Sequence, residues 1–98
     1  MWAPFRLEDA MTMVYIPAPL RDMCGGIATL EVQAPTLDAL LRALDLRCPG
    51  FYARVVDDGR VRPELAVAID GEAATYPLSE PVAHVRDLTI IPAIGGGQ

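Results

Sequence analysis

An α+β fold is predicted for this chain: a mixed sheet of four to five strands with one main helix packed across one face. Three observations carry it. Short runs rich in β-branched and aromatic residues recur along the sequence, at Thr12–Leu20, Ala28–Ala34, Glu64–Asp70, Glu72–Tyr76 and Leu88–Ile94. One stretch alone has strong helical spacing, with Leu37, Leu40, Leu41 and Leu44 at i, i+3, i+4 and i+7. The chain has 98 residues, 52% of them hydrophobic, which is enough for a single core and no more than one domain.

The elements follow in order. In TMVYIPAPL, Met13, Tyr15 and Pro17 alternate with Val14 and Ile16, a strand with both faces partly covered. RDMCGG is a polar stretch closing on Gly25 and Gly26, which supply the positive φ that a turn needs. ATLEVQA then alternates Leu30 and Val32 against Thr29, Glu31 and Gln33, so the first two strands form an antiparallel hairpin. Thr36 offers a hydroxyl cap, Asp38 stands in the first turn, and the leucine stripe runs to about Leu46, before Pro49 and Gly50 stop the helix. PGFYARVVDDGRVRP reads as an irregular connection with one helical turn at Phe51 to Val55. ELAVAID and the strand from Glu72 to Tyr76 flank an Asp70-Gly71 hairpin turn. PLSEPVAHVRD, with two prolines and no period, is a surface crossover. LTIIPAI is apolar at consecutive positions and is expected to be buried on both faces, in the middle of the sheet.

Composition excludes several function classes. The net charge is −5, and the basic residues are eight arginines with no lysine, a poor match to nucleic acid. Cys24, Cys48 and His84 are too few for a structural zinc site. The two cysteines read as buried or partly buried thiols of a reducing cytosol, with a disulfide or a catalytic thiol as the alternatives. Arg6, Glu8 and Asp9 interrupt the first ten residues, so neither a signal peptide nor a membrane span is visible, and a soluble cytoplasmic protein is expected. His84 has no serine or cysteine partner at a meaningful spacing, Asp57-Asp58 sits on a turn beside Gly59, and no phosphate-cradling loop is present. No residue is assigned a catalytic or metal-binding role, and catalysis is expected from partners.

Strand, strand, helix, strand, strand, strand is the element order of a β-grasp, ubiquitin-like sheet, with the last strand pairing in parallel beside the first. That last strand then releases IPAIGGGQ. Three glycines cannot pack a core and lose the most entropy on ordering, so residues 95–98 are expected to be a flexible tail, residues 11–94 the domain, and residues 1–10 an extension outside the core. Four residues beyond Ile94, at about 3.3 Å each, reach roughly 13 Å, enough to enter another protein's active site. Without side chains, such a tail leaves its terminal carbonyl open to nucleophiles from either face.

The ending Pro92-Ala93-Ile94-Gly95-Gly96-Gly97 resembles that of the ubiquitin-like sulfur carrier proteins. So do the Gly-Gly turn, the PTLDALLRAL helix, PGF, DGRVRP and the AIDGE hairpin, from about Met13 to Gly97. These carriers include the small subunit of molybdopterin synthase, the thiamine sulfur carrier and the thiocarboxylate carrier of a cysteine route. The resemblance implies that the last glycine of a diglycine is adenylated by a ubiquitin-activating-type enzyme, which uses ATP, and then becomes a thiocarboxylate. The carrier itself binds no cofactor tightly. Gly96 and Gly97 match the diglycine and Gly95 the small residue before it. Gln98 is one residue too many, which implies removal by a trimming peptidase. The length from Arg47 to Pro63 resembles the longer carriers of the cysteine route and some molybdopterin relatives. Docking onto the activating enzyme and a sulfur-accepting synthase is expected through Phe51, Ile94 and Pro92, rimmed by Arg60, Arg62 and Arg86, with Phe51 as plain core the alternative. Two further readings keep the fold: a modifier joined to amines on other proteins, and a non-activated interaction domain. The Gly-Gly-Gln ending of prokaryotic ubiquitin-like proteins is a third comparison, but those chains are polar and largely disordered.

Overall fold

The computed structural model describes residues 11–92. Its elements are β1 (Thr12–Tyr15), a 3₁₀ helix (Ala18–Cys24), β2 (Thr29–Val32), α1 (Leu37–Arg47), α2 (Phe51–Val55), β3 (Val56–Asp57), β4 (Arg60–Val61), β5 (Leu65–Ile69), β6 (Glu72–Ala74) and β7 (Asp87–Pro92). Five strands make one sheet in the order β2-β1-β7-β5-β6, and β3 and β4 pair separately. β7 lies between β1, which it parallels, and β5, which it opposes. The expected α+β architecture is therefore present, with the last strand at the centre of the sheet.

The pleat decides what faces the helix. Val14 and Ile16, Leu30 and Val32, Val67, Leu88 and Ile90 all fall on the inner face and are buried. Against them α1 sets Leu37, Leu40, Leu41 and Leu44, each completely buried. Thr36 caps α1 by accepting from the Ala39 N–H at 3.2 Å. The next two orphan donors, the N–H groups of Leu37 and Asp38, reach the carbonyls of Glu80 and Leu78 in the crossover between β6 and β7. A second tie fixes the other end of the crossover, where the buried Thr12 hydroxyl donates to the Val85 carbonyl at 2.7 Å. Asp70, at φ +48°, turns β5 into β6 and accepts from the backbone N–H of both Arg86 and Asp87, which sets the starting point of β7.

Three local expectations are corrected. β1 stops at Tyr15, because Pro17 and Pro19 cannot continue a ladder, and the link to β2 is a 3₁₀ helix closed by Gly25 at φ +67° rather than a simple glycine turn. The connection after α2 is ordered as a small hairpin, with Asp58 and Gly59 both at positive φ in the two-residue turn. β7 is covered on one face only: Leu88 and Ile90 are buried, whereas Thr89 is half-buried and Ile91 is 36% exposed. Its run of consecutive apolar residues reflects a central position in the hydrogen-bonded sheet, not a second covering layer. Residues 1–10 and the tail boundary at residue 95 lie outside the described residues.

Leu41→Ala removes a side chain with no exposed surface from the centre of the helix–sheet interface. It should lower unfolding stability by about 2–5 kcal/mol, read as a lower denaturant midpoint at unchanged slope.

Candidate functional site

β7 ends at Pro92, which pairs with Leu65 as the last rung of the ladder and leaves the sheet half-buried. A proline there has no N–H to donate, so it suits the position where pairing stops. Beside it lies a groove of about 450 Å³. Pro19 and Leu20 of the 3₁₀ helix form one wall, Arg54 of α2 another, and Arg62, Glu64 and Leu65 from the approach to β5 complete it with Pro92. The lining is thus apolar residues under two guanidinium groups and one carboxylate.

The two arginines are held differently. Arg62 is half-buried and donates from Nη2 to the Ala53 carbonyl at 3.1 Å, and its backbone N–H reaches the Val55 carbonyl at 2.8 Å. It is therefore preset against α2. Arg54 is exposed, and its side chain has no hydrogen bond or ion pair among the described residues, its backbone N–H alone donating to the Gly50 carbonyl at 3.2 Å. A cation without a local partner beside an apolar groove is available to an anionic group on another molecule.

The sequence candidates divide accordingly. Pro92 and Arg62 are in the groove. Arg60 lines a separate depression with Asp57, Asp58, Val61, Pro63 and Thr75. Arg86 precedes the opposite end of β7, roughly 20 Å from Pro92 at about 3.3 Å per residue, with its backbone bound to Asp70. Phe51 is completely buried and belongs to the core, because Phe51 and Val55 are the inward pair of α2, four residues apart. That same spacing turns Ala53 and Arg54 outward, and is the signal by which Arg54 could have been found. Pro19, Leu20, Glu64 and Leu65 come together only through the tertiary fold. Ile94, Gly95, Gly96, Gly97 and Gln98 lie outside the described residues.

The expectation of free thiols is also corrected, since Cys24 and Cys48 form a disulfide and no described cysteine is free. The 3₁₀ helix brings Cys24 onto the C-terminal end of α1, and both residues are buried. Next to the bridge, Met23 packs on Gly50, where an added Cβ would stand 3.3 Å from its terminal methyl. Asp45 accepts from the N–H groups of Gly50 and Tyr52, at 3.1 and 3.0 Å, and so caps α2 from within α1. Further out, the Tyr52 hydroxyl donates a short hydrogen bond to Asp38, and Arg42 pairs with the same carboxylate at 2.8 Å while its guanidinium lies 4.4 Å from the Tyr52 ring centre. The Tyr52 hydrogen bond, followed by that from Arg42, holds Asp38 below the ordinary carboxylate range. The same bond, with some burial, raises Tyr52 above its usual value. These contacts fix the position of α2, and with it Arg54.

His84 and the Asp57-Asp58 pair are exposed, and among the described residues no group of three His, Cys, Asp or Glu side chains is placed to hold a metal ion. No helix among the described residues is long and apolar enough to cross a membrane.

A model of the ThiS family matches residues 14–97. The chain belongs to the ThiS family of ubiquitin-like sulfur carriers. Solved structures agree with the family. CysO of Amycolatopsis orientalis, in the BexX/CysO complex, is 28% identical, with a TM-score of 0.79 over 88% of this chain and 99% of that one. CysO of Mycobacterium tuberculosis is 25% identical, with a TM-score of 0.77 over 85% and 99%. SAMP1 of Haloferax volcanii is 29% identical, with a TM-score of 0.70 over 90% and 100%. No curated protein matches the sequence closely enough to add a further relative.

Protonation of Asp38 should cost stability. Its folded pKa is depressed, so the contribution is fully present above the unfolded value near 4 and is lost as pH falls below it. Asp38→Asn should therefore flatten the acid limb of the stability–pH curve below about pH 4. Parallel acid limbs for the two proteins in chemical denaturation would contradict the assignment.

Proposed function

We propose that this ThiS-family chain is a sulfur carrier whose Gly97 carboxylate is converted to a thiocarboxylate, after removal of Gln98, for biosynthesis of the cysteine or molybdopterin type. One observation carries the reading: the central strand β7 ends at Pro92, the sequence that follows it is Ala93-Ile94-Gly95-Gly96-Gly97, and the family match extends through residue 97 and stops one short of Gln98. A strand paired on both sides is a rigid anchor for an arm that must enter another protein.

The chemistry proposed for Gly97 has two steps. Its carboxylate attacks the α-phosphorus of ATP on the activating partner, releasing pyrophosphate and leaving an acyl adenylate. Hydrosulfide, sulfur at the sulfide level, then adds to the acyl carbon, and AMP departs to leave the thiocarboxylate. The carrier supplies the reacting atom, while a ubiquitin-activating-type enzyme supplies ATP and the donors that stabilise the oxyanion. The chain is thus a substrate and not a catalyst, with no tightly bound cofactor of its own. Use of ATP by the partner places this chemistry in the cytoplasm.

Partner proteins would be the adenylating enzyme, a sulfur-accepting synthase and a tail-trimming peptidase. The BexX/CysO complex of the Amycolatopsis relative supports a carrier that works by docking. In this chain the docking surface is the groove beside Pro92, with Arg54 and Arg62 facing carboxylates of the partner and Ile94 leading the tail inward. A second reading is favoured by the likeness to a small archaeal modifier protein: the activated glycine would pass to amines on other proteins. With no lysine in the chain, lysine-linked chains of this molecule are excluded under either reading.

Intact mass decides the chemistry. The chain ending at Gly97, incubated with the adenylating enzyme, ATP and a sulfur donor, should gain about 16 Da as –OH becomes –SH. The full-length chain should stay unreactive until trimmed, and Gly97→Val should abolish the gain without loss of stability. Thiocarboxylate at an untrimmed Gln98 would refute the diglycine alignment, and conjugates that survive reducing agent would favour the modifier. Arg54→Glu should weaken binding to the adenylating enzyme about tenfold or more, with an unchanged denaturant midpoint because the side chain is exposed.

A further inference from the structure

Two pieces of the groove are joined by a bond that the carrier chemistry does not use. Leu20 lies on the same short helix as Cys24, four residues away, and Arg54 lies on the helix that begins three residues after Cys48. The Cys24–Cys48 bridge therefore connects the wall made by Pro19 and Leu20 to the wall made by Arg54. We infer that this disulfide is a redox device that sets the shape of the docking groove, so that the oxidised chain docks its partner more tightly than the reduced chain. The inference rests on the groove beside Pro92 being the docking site.

The 3₁₀ segment depends on the bridge. It is short, and its i→i+3 hydrogen bonds, among them Leu20 to Pro17 at its start and Gly25 to Asp22 at its end, have poorer geometry than those of an α-helix. Beyond Cys24, Gly25 and Gly26 stand at φ +67° and +85°, and a Cβ at either would meet nothing within 4 Å. That end of the segment is held by the sulfur bridge and by backbone hydrogen bonds from the N–H groups of Gly25, Gly26 and Ile27 to the carbonyls of Asp22, Arg21 and Cys24. From the middle of the segment, Arg21 Nε donates to the carbonyl of Ile16, the residue that follows β1, at 2.9 Å. Loss of the bridge removes the covalent tie between the segment that carries the wall and the C-terminal end of α1, while its hydrogen bonds to neighbouring residues remain, which is a local loosening and not unfolding. The sheet residues Val14, Leu30, Val67, Leu88 and Ile90 share one buried cluster with the α1 leucines as well as with the two cysteines, so the sheet keeps its packing on α1 when the sulfur bond is broken.

Reduction is balanced by a dithiol. One of its thiolates attacks a bridge sulfur, giving a mixed disulfide and releasing the other cysteine as a thiolate that takes up a proton. The second thiol of the reductant then closes its own disulfide and releases the remaining cysteine. Two electrons pass from reductant to protein. Both cysteines are buried, so attack requires the segment to open first. A bridge inside a protein that works in a reducing compartment is expected to be of this responsive kind.

The experiment uses the full chain with and without dithiothreitol, reduction being checked by a gain of about 2 Da in intact mass. Hydrogen exchange at the amides of residues 20–27 should rise about tenfold or more beyond the uniform rise shared by β1, β5 and β7. Cys24→Ser with Cys48→Ser should exchange like the reduced chain whether or not dithiothreitol is present. With the adenylating enzyme and ATP, reduction should slow adenylation of the chain ending at Gly97 about fivefold or more, and dithiothreitol should not alter the rate of the double variant. Exchange at 20–27 that rises no more on reduction than that of β1, β5 and β7 overturns the device, as does altered exchange with an unaltered adenylation rate. Altered exchange with no adenylation in either state upholds the response to reduction and counts against the sulfur-carrier reading instead.

Discussion

Everything in this molecule is referred to the pairing of β7. The strand is hydrogen-bonded to β1 on one side and β5 on the other, so the first and last described strands are locked side by side across almost the whole chain. Its inward residues, Leu88 and Ile90, are the floor on which the α1 leucines rest. Parallel pairing with β1 demands a crossover, and the crossover in turn caps α1 through the carbonyls of Leu78 and Glu80. One strand thus sets the sheet, seats the helix and fixes where the chain leaves the domain.

A second set of contacts decides what stands beside that exit. Asp45 caps α2, the Tyr52–Asp38–Arg42 cluster presses α2 onto α1, and the Cys24–Cys48 bridge draws the 3₁₀ helix to the same corner. Of these, the bridge belongs to the main core, where Cys24 and Cys48 are buried, and the polar contacts lie at its edge. By the chain-entropy account, a bridge closing 24 residues contributes roughly 3–4 kcal/mol, which is large beside the marginal stability expected of a domain this small. Groove geometry is therefore set by contacts that are not part of the strand pairing that holds β7.

What was legible in the sequence follows this division. The leucine stripe, the Thr36 cap and the alternation of Leu30 and Val32 are local signals, and the α1–sheet core follows from them. The Asp58-Gly59 turn was visible too, but two-residue strands on either side are too short for any period to show, so the β3–β4 hairpin read as irregular. Phe51 was ambiguous because a lone aromatic residue after Pro-Gly carries no face; only the i, i+4 pair with Val55 turns it inward. Groove and disulfide were the least legible. Both join residues brought together by folding, and two cysteines with no flanking pattern are equally compatible with thiols. The glycine ending was the most legible feature, since it owes nothing to tertiary structure.

An α+β domain with one open sheet face and no assigned catalytic residue is what the proposed chemistry calls for. A catalytic site must hold several groups within a fraction of an ångström, which demands a rigid shell around the reacting atoms. A carrier needs the reverse: a rigid base, and a reacting atom far enough from it that a partner can enclose the atom completely. The structure meets the first condition at β7, and the glycines after Ile94 meet the second by composition. Precision is then required only at the base, where the partner must find the tail in register. Arg54 and Arg62 over an apolar groove supply charge for orientation and apolar surface for affinity. Under the proposed function, the chain would present the same carboxylate to enzymes of different chemistry, with selection among them acting at the groove and not at the reacting atom.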